Sequence, residues 1–313
     1  MVFLPKKLAM GTEGIRDRYI NPYTDFGFKK IFGSDMNKDL LISFLNALLD
    51  GKERIENLTY LNVEHLGNAE LDRKAVFDVY CQNDKGEKFL VEMQKGEQEF
   101  FKDRSLFYTT FPIQEQARRG TWDYSLKAVY TIGILNFVFD ESDKDTYRHQ
   151  VRLVDTDTGE VFYDKLTFIY LEMPKFNKCE EELETMFDKW LFVLRNLSSL
   201  FDRPKALQER IFTRLFEAAE IAKFDRVEYA EYQESLKNFR DLYSVIQTAS
   251  RKGMAEGLAK GMAEGMAKGL EQGRQEGEKA RAQDIARRLR ASGLMSSEEI
   301  ARATGLDMAD IPE

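Results

Sequence analysis

AVFDVYCQNDKGEKFLVEMQ, residues 75–94, sets two apolar, β-rich runs around a polar turn. Each run carries one acid, Asp78 in VFDVYC and Glu92 in FLVEMQ. Two such runs joined by a turn of this composition predict a β-hairpin. A carboxylate inside an apolar strand is costly to bury unless it is paired or holds a cation. Gln94 lies two residues past Glu92 and shares its face. One acid on each of two adjacent strands, with a polar neighbour, points to a metal-dependent phosphodiesterase site. The plainer alternative is a half-buried hairpin whose acids face water. Phe77 and Val79 would then lie on the face opposite Asp78, and Val91 and Met93 on the face opposite Glu92.

Asp78, followed by Glu92-Met93-Gln94, resembles the PD-(D/E)XK nuclease core with glutamine in place of the usual lysine. That variant is characteristic of the Rpn family of recombination-promoting nucleases, also described as transposases. The chain is similar to that family in NPYTDFGFKKIFG (Asn21–Gly33), RSLFYTTFPIQEQARRG (Arg104–Gly120), YSLKAVYTIGILNF (Tyr124–Phe137) and a glycine-repeat tail. The resemblance implies an α/β, restriction-endonuclease-like core followed by a helical C-terminal region. It also implies a DNA endonuclease with Asp78, Glu92 and Gln94 as catalytic residues. Asp78, Glu92 and the Met93 carbonyl would hold Mg²⁺ or Mn²⁺, and Gln94 would orient the attacking water. Glutamine lacks the positive charge of lysine, so part of the transition-state stabilisation must come from elsewhere. Lys95 is adjacent, but strand alternation turns it to the opposite face. Asp25 matches an acid in the family's first helix and could complete the metal shell. It could equally be an acid that favours the helix dipole.

Composition narrows the chemistry. With 313 residues, 43% hydrophobic and 32% charged, the chain suits a soluble protein of one large or two modest domains. No apolar run is long enough to span a membrane, and the N-terminus lacks a signal-peptide core. Cys81 and Cys179 are the two cysteines, which fits a reducing cytoplasm rather than a disulfide framework. Cys81 has no histidine nearby in sequence to activate it as a nucleophile. His65 and His149 are too few for a histidine-rich zinc site, so a metal would be held by oxygen. The net charge of −8 opposes nucleic-acid binding through bulk charge. A local basic groove could still form from Lys102, Arg104, Arg118 and Arg119, unless these mark a solvated helix face. Tyr108, Gln114 and Gln116 follow the motif and read as substrate contacts or as packing.

Periodicity supplies the element order. A helical apolar pattern runs through Phe28, Ile31, Phe32, Leu40, Leu41, Phe44, Leu45 and Leu48, ended by Asp50-Gly51. Strands are expected near Leu58–Val63, in the hairpin, at Lys127–Phe137, at His149–Val154 and at Val161–Leu171. A helix is expected from about Phe100 to Arg119. The resulting order, helix, three strands, helix, strand, agrees with the resemblance. Trp190, Leu191, Leu194, Leu207, Ile211, Leu215, Phe216, Phe239, Leu242 and Ile246 read as the core faces of further helices.

The organisation expected is a leader over 1–20, a nuclease-like domain over 21–175 and a helical region over 176–250. A glycine-repeat helix over 251–279 and a short helical tail over 280–313 follow. The repeat places glycine at 253, 257, 261, 265, 269, 273 and 277. Glu256 with Lys260 and Glu264 with Lys268 would pair at i,i+4 on a helix. Each glycine costs about 1 kcal/mol against alanine in a helix. The segment is therefore either a self-association helix, making a homo-oligomer, or a partly helical spacer. A four-residue period exceeds 3.6 and favours a right-handed supercoil. The tail carries a capping box at Ser296–Glu299 and reads as a helix-turn-helix-like DNA reader or a small protein-contact unit. The alternative function for the whole chain is a catalytically weak nuclease fold that binds DNA or protein and self-associates.

Overall fold

In the computed structural model, which describes residues 17–49, 54–61, 77–117, 123–139 and 143–311, the first helix grows from a polar turn at Asn21. The Asn21 side-chain oxygen accepts from the Tyr23 N–H at 2.9 Å. Thr24 then caps α1 (Asp25–Phe32) by accepting from the Gly27 N–H. Gly33 ends α1, its N–H bonding the Lys29 carbonyl at 2.7 Å. A 3-10 turn at Asp35–Asn37 leads into α2 (Lys38–Leu48). The single helical run expected here is therefore two helices. The apolar stripe continues across the break, but Gly33 is a poor helix former and Ser34 is extended, with φ −125° and ψ 143°. Tyr19 and Ile20, in the stretch read as leader, are core residues, and the Ile20 N–H bonds the Ala219 carbonyl. Residues 1–16 lie outside the described residues.

Six strands form one sheet in the order β1-β2-β3-β4-β6-β5. They are β1 (Leu58–Tyr60), β2 (Val79–Asn83), β3 (Lys88–Gln94), β4 (Val129–Leu135), β5 (Arg148–Val154) and β6 (Val161–Glu172). The expected extension of β1 to Val63 falls on residues outside those described. β1, β2 and β3 pair antiparallel, β3, β4 and β6 pair parallel, and β5 returns antiparallel as an edge. The β5 ladder slips on either side of Leu153, a bulge at the outer edge. The hairpin turn is built by Asn83, whose side chain accepts from the N–H groups of Lys85 and Glu87, with Gly86 at φ +81°.

Alternation gives the sheet two different faces. Val79, Cys81, Phe89, Val91, Met93, Tyr130, Ile132, Ile134, Ile169 and Leu171 point into the main core. There they meet α1, α2, α4 (Met186–Asn196), α5 (Arg210–Ala219) and the start of α6 (Arg226–Ala291). Trp190 is fully buried against Phe32, Phe44 and Phe212. The other face is covered by α3 (Phe101–Gln114). The α3 residues turned inward are Phe101, Ser105, Thr109 and Pro112, spaced for one helical stripe. Ser105 and Thr109 are small, so the helix lies close to the strands: Thr109 Oγ1 is 2.7 Å from Thr131 Oγ1, and Tyr170 donates to Ser105 Oγ at 2.8 Å. This face carries Lys88, Glu92 and Gln94 of β3.

That first unit extends to Tyr243 and a second begins at Ser244. Tyr232, Leu236 and Phe239 are the α6 residues in the main core. Leu242, expected in a core face, is 42% exposed, and Ile246 is half-buried. The apolar period runs on past the surface that could cover it. The glycine repeat is helical throughout, and Met254, Leu258, Met262, Met266 and Leu270 are exposed. Among the described residues, no ion pair joins Glu256 to Lys260 or Glu264 to Lys268; exposed long side chains gain little from such pairing. Arg274 instead bridges Glu271 and Glu278. Ser296 caps α7 (Ser297–Thr304) through the expected capping box, and Ile300 packs with Ala286 and Ile311 in a small core of its own.

Candidate active site

Val79 pairs with Val91, so the antiparallel register carried one step further sets Asp78 across from Glu92. Tyr80 and Leu90, the next pair on the same face, pack together under α3. The extended register brings the two acids opposite one another at the open end of the hairpin, close enough for the charge of Asp78 to act on Glu92. Asp78 Oδ2 accepts from the Met93 N–H at 2.7 Å, which ties the start of β2 to the end of β3. In an extended strand the N–H and C=O of one residue point the same way. The Met93 carbonyl is thus directed past the end of β2, beside Asp78.

The electrostatics are those of crowded like charges with little water. Burial raises the Asp78 carboxyl above its ordinary range, and Asp25 adds to the rise, while the Met93 N–H, Lys29 and Lys95 oppose it. Glu92 is pushed up to about 7, first by burial and then by Asp78, against the pull of Arg104. A cation between the carboxylates would relieve both effects. Two carboxylates and one carbonyl also form the hard-oxygen set that magnesium accepts alongside retained waters.

The remaining expected residues are distributed unevenly. Gln94 is buried on the Glu92 face and donates from Nε2 to the Gly96 carbonyl at 2.9 Å. That bond fixes the amide and leaves Oε1 as the end able to accept from a water. Asp25 is 60% exposed and pairs with Lys95 at 2.6 Å. Among the described residues, no three acidic, histidine or cysteine side chains gather as a metal-ligand group. The charge of Asp25 nonetheless reaches Asp78 and raises it. Tyr108 packs edge-on against Phe77 at 5.7 Å. Gln116 bonds the Lys127 backbone, and Gln114 is exposed. Arg118 and Arg119 lie outside the described residues. Burial pushes the Cys81 thiol up to about 12, so it is no nucleophile at neutral pH.

Sequence reasoning missed two neighbours of the acids, Lys29 and Tyr170, and the partner of a third, Lys95. Lys95 does turn to the opposite face, yet it meets Asp25 there and its charge reaches Asp78. Lys29, four residues after Asp25 on α1, also acts on Asp78; that i,i+4 spacing was available in the sequence. Tyr170 has no local signal at all. It enters through strand order, since Glu92 pairs with Gly133 and Gly133 with Tyr170. A Cβ at Gly133 would lie 3.0 Å from Tyr170 Cδ1, so the ring occupies the space a side chain would take.

The profile of the PD-(D/E)XK nuclease family transposases matches residues 22–249. The chain belongs to that family. The match covers the sheet, α1 to α5 and the start of α6, which makes the observed α/β sheet a PD-(D/E)XK core followed by helices. Membership indicates nuclease-type chemistry on phosphodiester bonds, the class of reaction for which such families use divalent metals. No curated protein and no solved structure matched the chain. Among the described residues, no helix of this PD-(D/E)XK protein is long and apolar enough to cross a membrane.

Proposed function

We propose that the protein is a magnesium- or manganese-dependent DNA endonuclease. The observation that carries this reading is the half-buried Asp78–Glu92 pair, set across the start of β2 and the end of β3, in which Asp78 raises the cost of ionising Glu92. Asp78, Glu92 and the Met93 carbonyl would hold the ion, with Asp25 an outlying acid restrained by Lys95. Such an ion supplies charge neutralisation at a phosphate and acidifies water. Gln94 Oε1 accepts from the attacking water and orients it. In hydrolysis the water oxygen forms a new bond to phosphorus while one ester P–O bond breaks. Lys29, Lys95 and Arg104 supply positive charge around the acids, part of what a lysine at 94 would have given.

DNA cleavage of this kind would serve recombination or transposition, in a reducing cytoplasm where Cys81 and Cys179 stay free thiols. The exposed line of Met and Leu on the glycine-repeat helix favours a homo-oligomer, with two nuclease domains tethered through that helix. If turnover proves negligible, the same surfaces describe a DNA-binding, self-associating module. Supercoiled plasmid incubated with the full-length protein should be nicked or linearised in magnesium and left intact in EDTA. Asp78→Ala and Glu92→Ala should each abolish cutting. Equal cutting by purified Asp78→Ala protein would overturn the assignment.

A further inference from the structure

A cavity of about 700 Å³ opens between α3 and the β5–β6 pair. Its size falls among small-ligand sites, about 300–1,000 Å³. Aromatic rings from Phe139, Phe168 and Tyr170 line part of the wall. Phe139 meets Tyr170 edge-on at 5.6 Å and His149 at 6.0 Å. Phe168 and Tyr170 lie nearly parallel, 23° apart with centroids at 6.3 Å. Lys102 on α3 sets its ammonium 5.1 Å from the Phe139 ring centre, at the same wall.

Two further features bear on what fills it. His149 Nε2 is buried and lies 3.3 Å from Glu172 Oε2 without hydrogen-bond alignment, so a polar ring atom beside the cavity lacks a hydrogen-bond partner. Phe139 is anchored by the fully buried Glu172, which accepts from the Phe139 N–H at 2.7 Å and pairs with Lys175 at 2.5 Å. Lys175 in turn donates to the carbonyls of Asp143 and Thr146.

Tyr170 joins this cavity to the acids. Its ring lines the cavity and covers Gly133, the residue between it and Glu92 in the sheet. Glu92 and Tyr170 are two strand spacings apart, about 10 Å. A single nucleotide next to the reacting phosphate covers that span with its sugar and base.

We propose that this cavity receives one unstacked nucleobase of the DNA strand held at Asp78 and Glu92. The base would rest against the Phe139, Phe168 and Tyr170 rings, with Lys102 and Arg104 drawing the strand's phosphates to the same helix. Aromatic stacking of this kind tolerates any base. The inference rests on the nuclease reading above.

The test uses full-length protein, calcium in place of magnesium, and short single-stranded oligonucleotides with one abasic site moved stepwise along the strand. One position should weaken binding about tenfold, the order of one lost base–aromatic stack. Leu106→Trp changes an exposed cavity-lining residue and should fill the space; Phe139→Ala should remove a wall. Both variants should still bind the intact strand, but with no difference between intact and abasic strands. Binding that is indifferent to every abasic position, or an abasic penalty unchanged in both variants, would overturn the cavity assignment and leave the nuclease reading standing. No binding and no cleavage of any oligonucleotide would overturn both. An apolar dye seated in the cavity and not displaced by saturating oligonucleotide would assign it to an apolar partner instead.

Discussion

Lys95 Nζ lies 2.6 Å from Asp25 Oδ1, joining the end of the strand that carries Glu92 to the first turn of α1. The lysine of the PD-(D/E)XK motif is absent at position 94, and the charge of Lys95, one residue later, reaches Asp78. Asp25 is mostly exposed, so the pair contributes only about 0–1 kcal/mol to stability. Lys95→Met should therefore leave the urea midpoint nearly unchanged while slowing magnesium-dependent plasmid cleavage about tenfold. Asp25→Asn should slow it less than Asp78→Ala. A Lys95→Met protein that cuts at the parent rate would show that its charge plays no part.

Gln94→Lys restores the lysine of the PD-(D/E)XK motif. The site is buried, and the native side chain donates to the Gly96 carbonyl. A lysine there keeps a donor for that carbonyl and adds charge near Glu92. Cleavage should be retained or rise severalfold in single-turnover assays. A loss of activity with unchanged folding would mean the glutamine amide is needed as an acceptor for water.

The pH dependence of stability should carry the mark of Glu92. Its carboxyl rises from 4.5 to about 7 on folding. Between those values the folded protein keeps a proton that the unfolded chain has released, so stability of the metal-free protein falls as pH rises from 4.5 to about 7. The loss is at most about 3 kcal/mol at 1.36 kcal/mol per unit, and Asp78, also raised, adds in the same direction. Urea unfolding in EDTA at pH 5 and pH 7.5 measures it. Glu92→Gln should flatten the difference, and magnesium at pH 7.5 should restore part of it. Parallel pH curves for parent and variant would reject the coupling.

Truncation after Ser250 removes the glycine repeat and the second small core. Seven helical glycines carry a penalty near 7 kcal/mol by the per-residue value, and nothing within 4 Å occupies the space above any of them. A second copy could pack there and cover Met254, Leu258, Met262, Met266 and Leu270. Light scattering should give a dimer or larger for the full chain and a monomer for the truncated one. A full-length monomer at micromolar concentration would make the repeat a spacer.

Much of this was legible because local chemistry sets it. The hairpin strands, the Asn83 turn and the Ser296 capping box each depend on neighbours within a few residues. The break at Gly33 was obscured because Phe28–Phe32 and Leu40–Leu48 serve the same core on either side of it. Leu242 misled for the opposite reason: the period persists where burial has stopped. Lys95 with Asp25, and Glu92 with Gly133 and Tyr170, are contacts between distant parts of the chain. They follow from strand order, which apolar patterning does not encode.

The slip at Leu153 bears on a different property. β5 is the outer strand and presents Val151, Leu153 and Val154 to water, next to an exposed Phe162. A straight edge of that composition is a template on which another chain can add a strand and begin to aggregate. The bulge bends the edge and interrupts its row of amides. An irregularity of one or two residues thus keeps this exposed apolar edge from being a straight template for another strand.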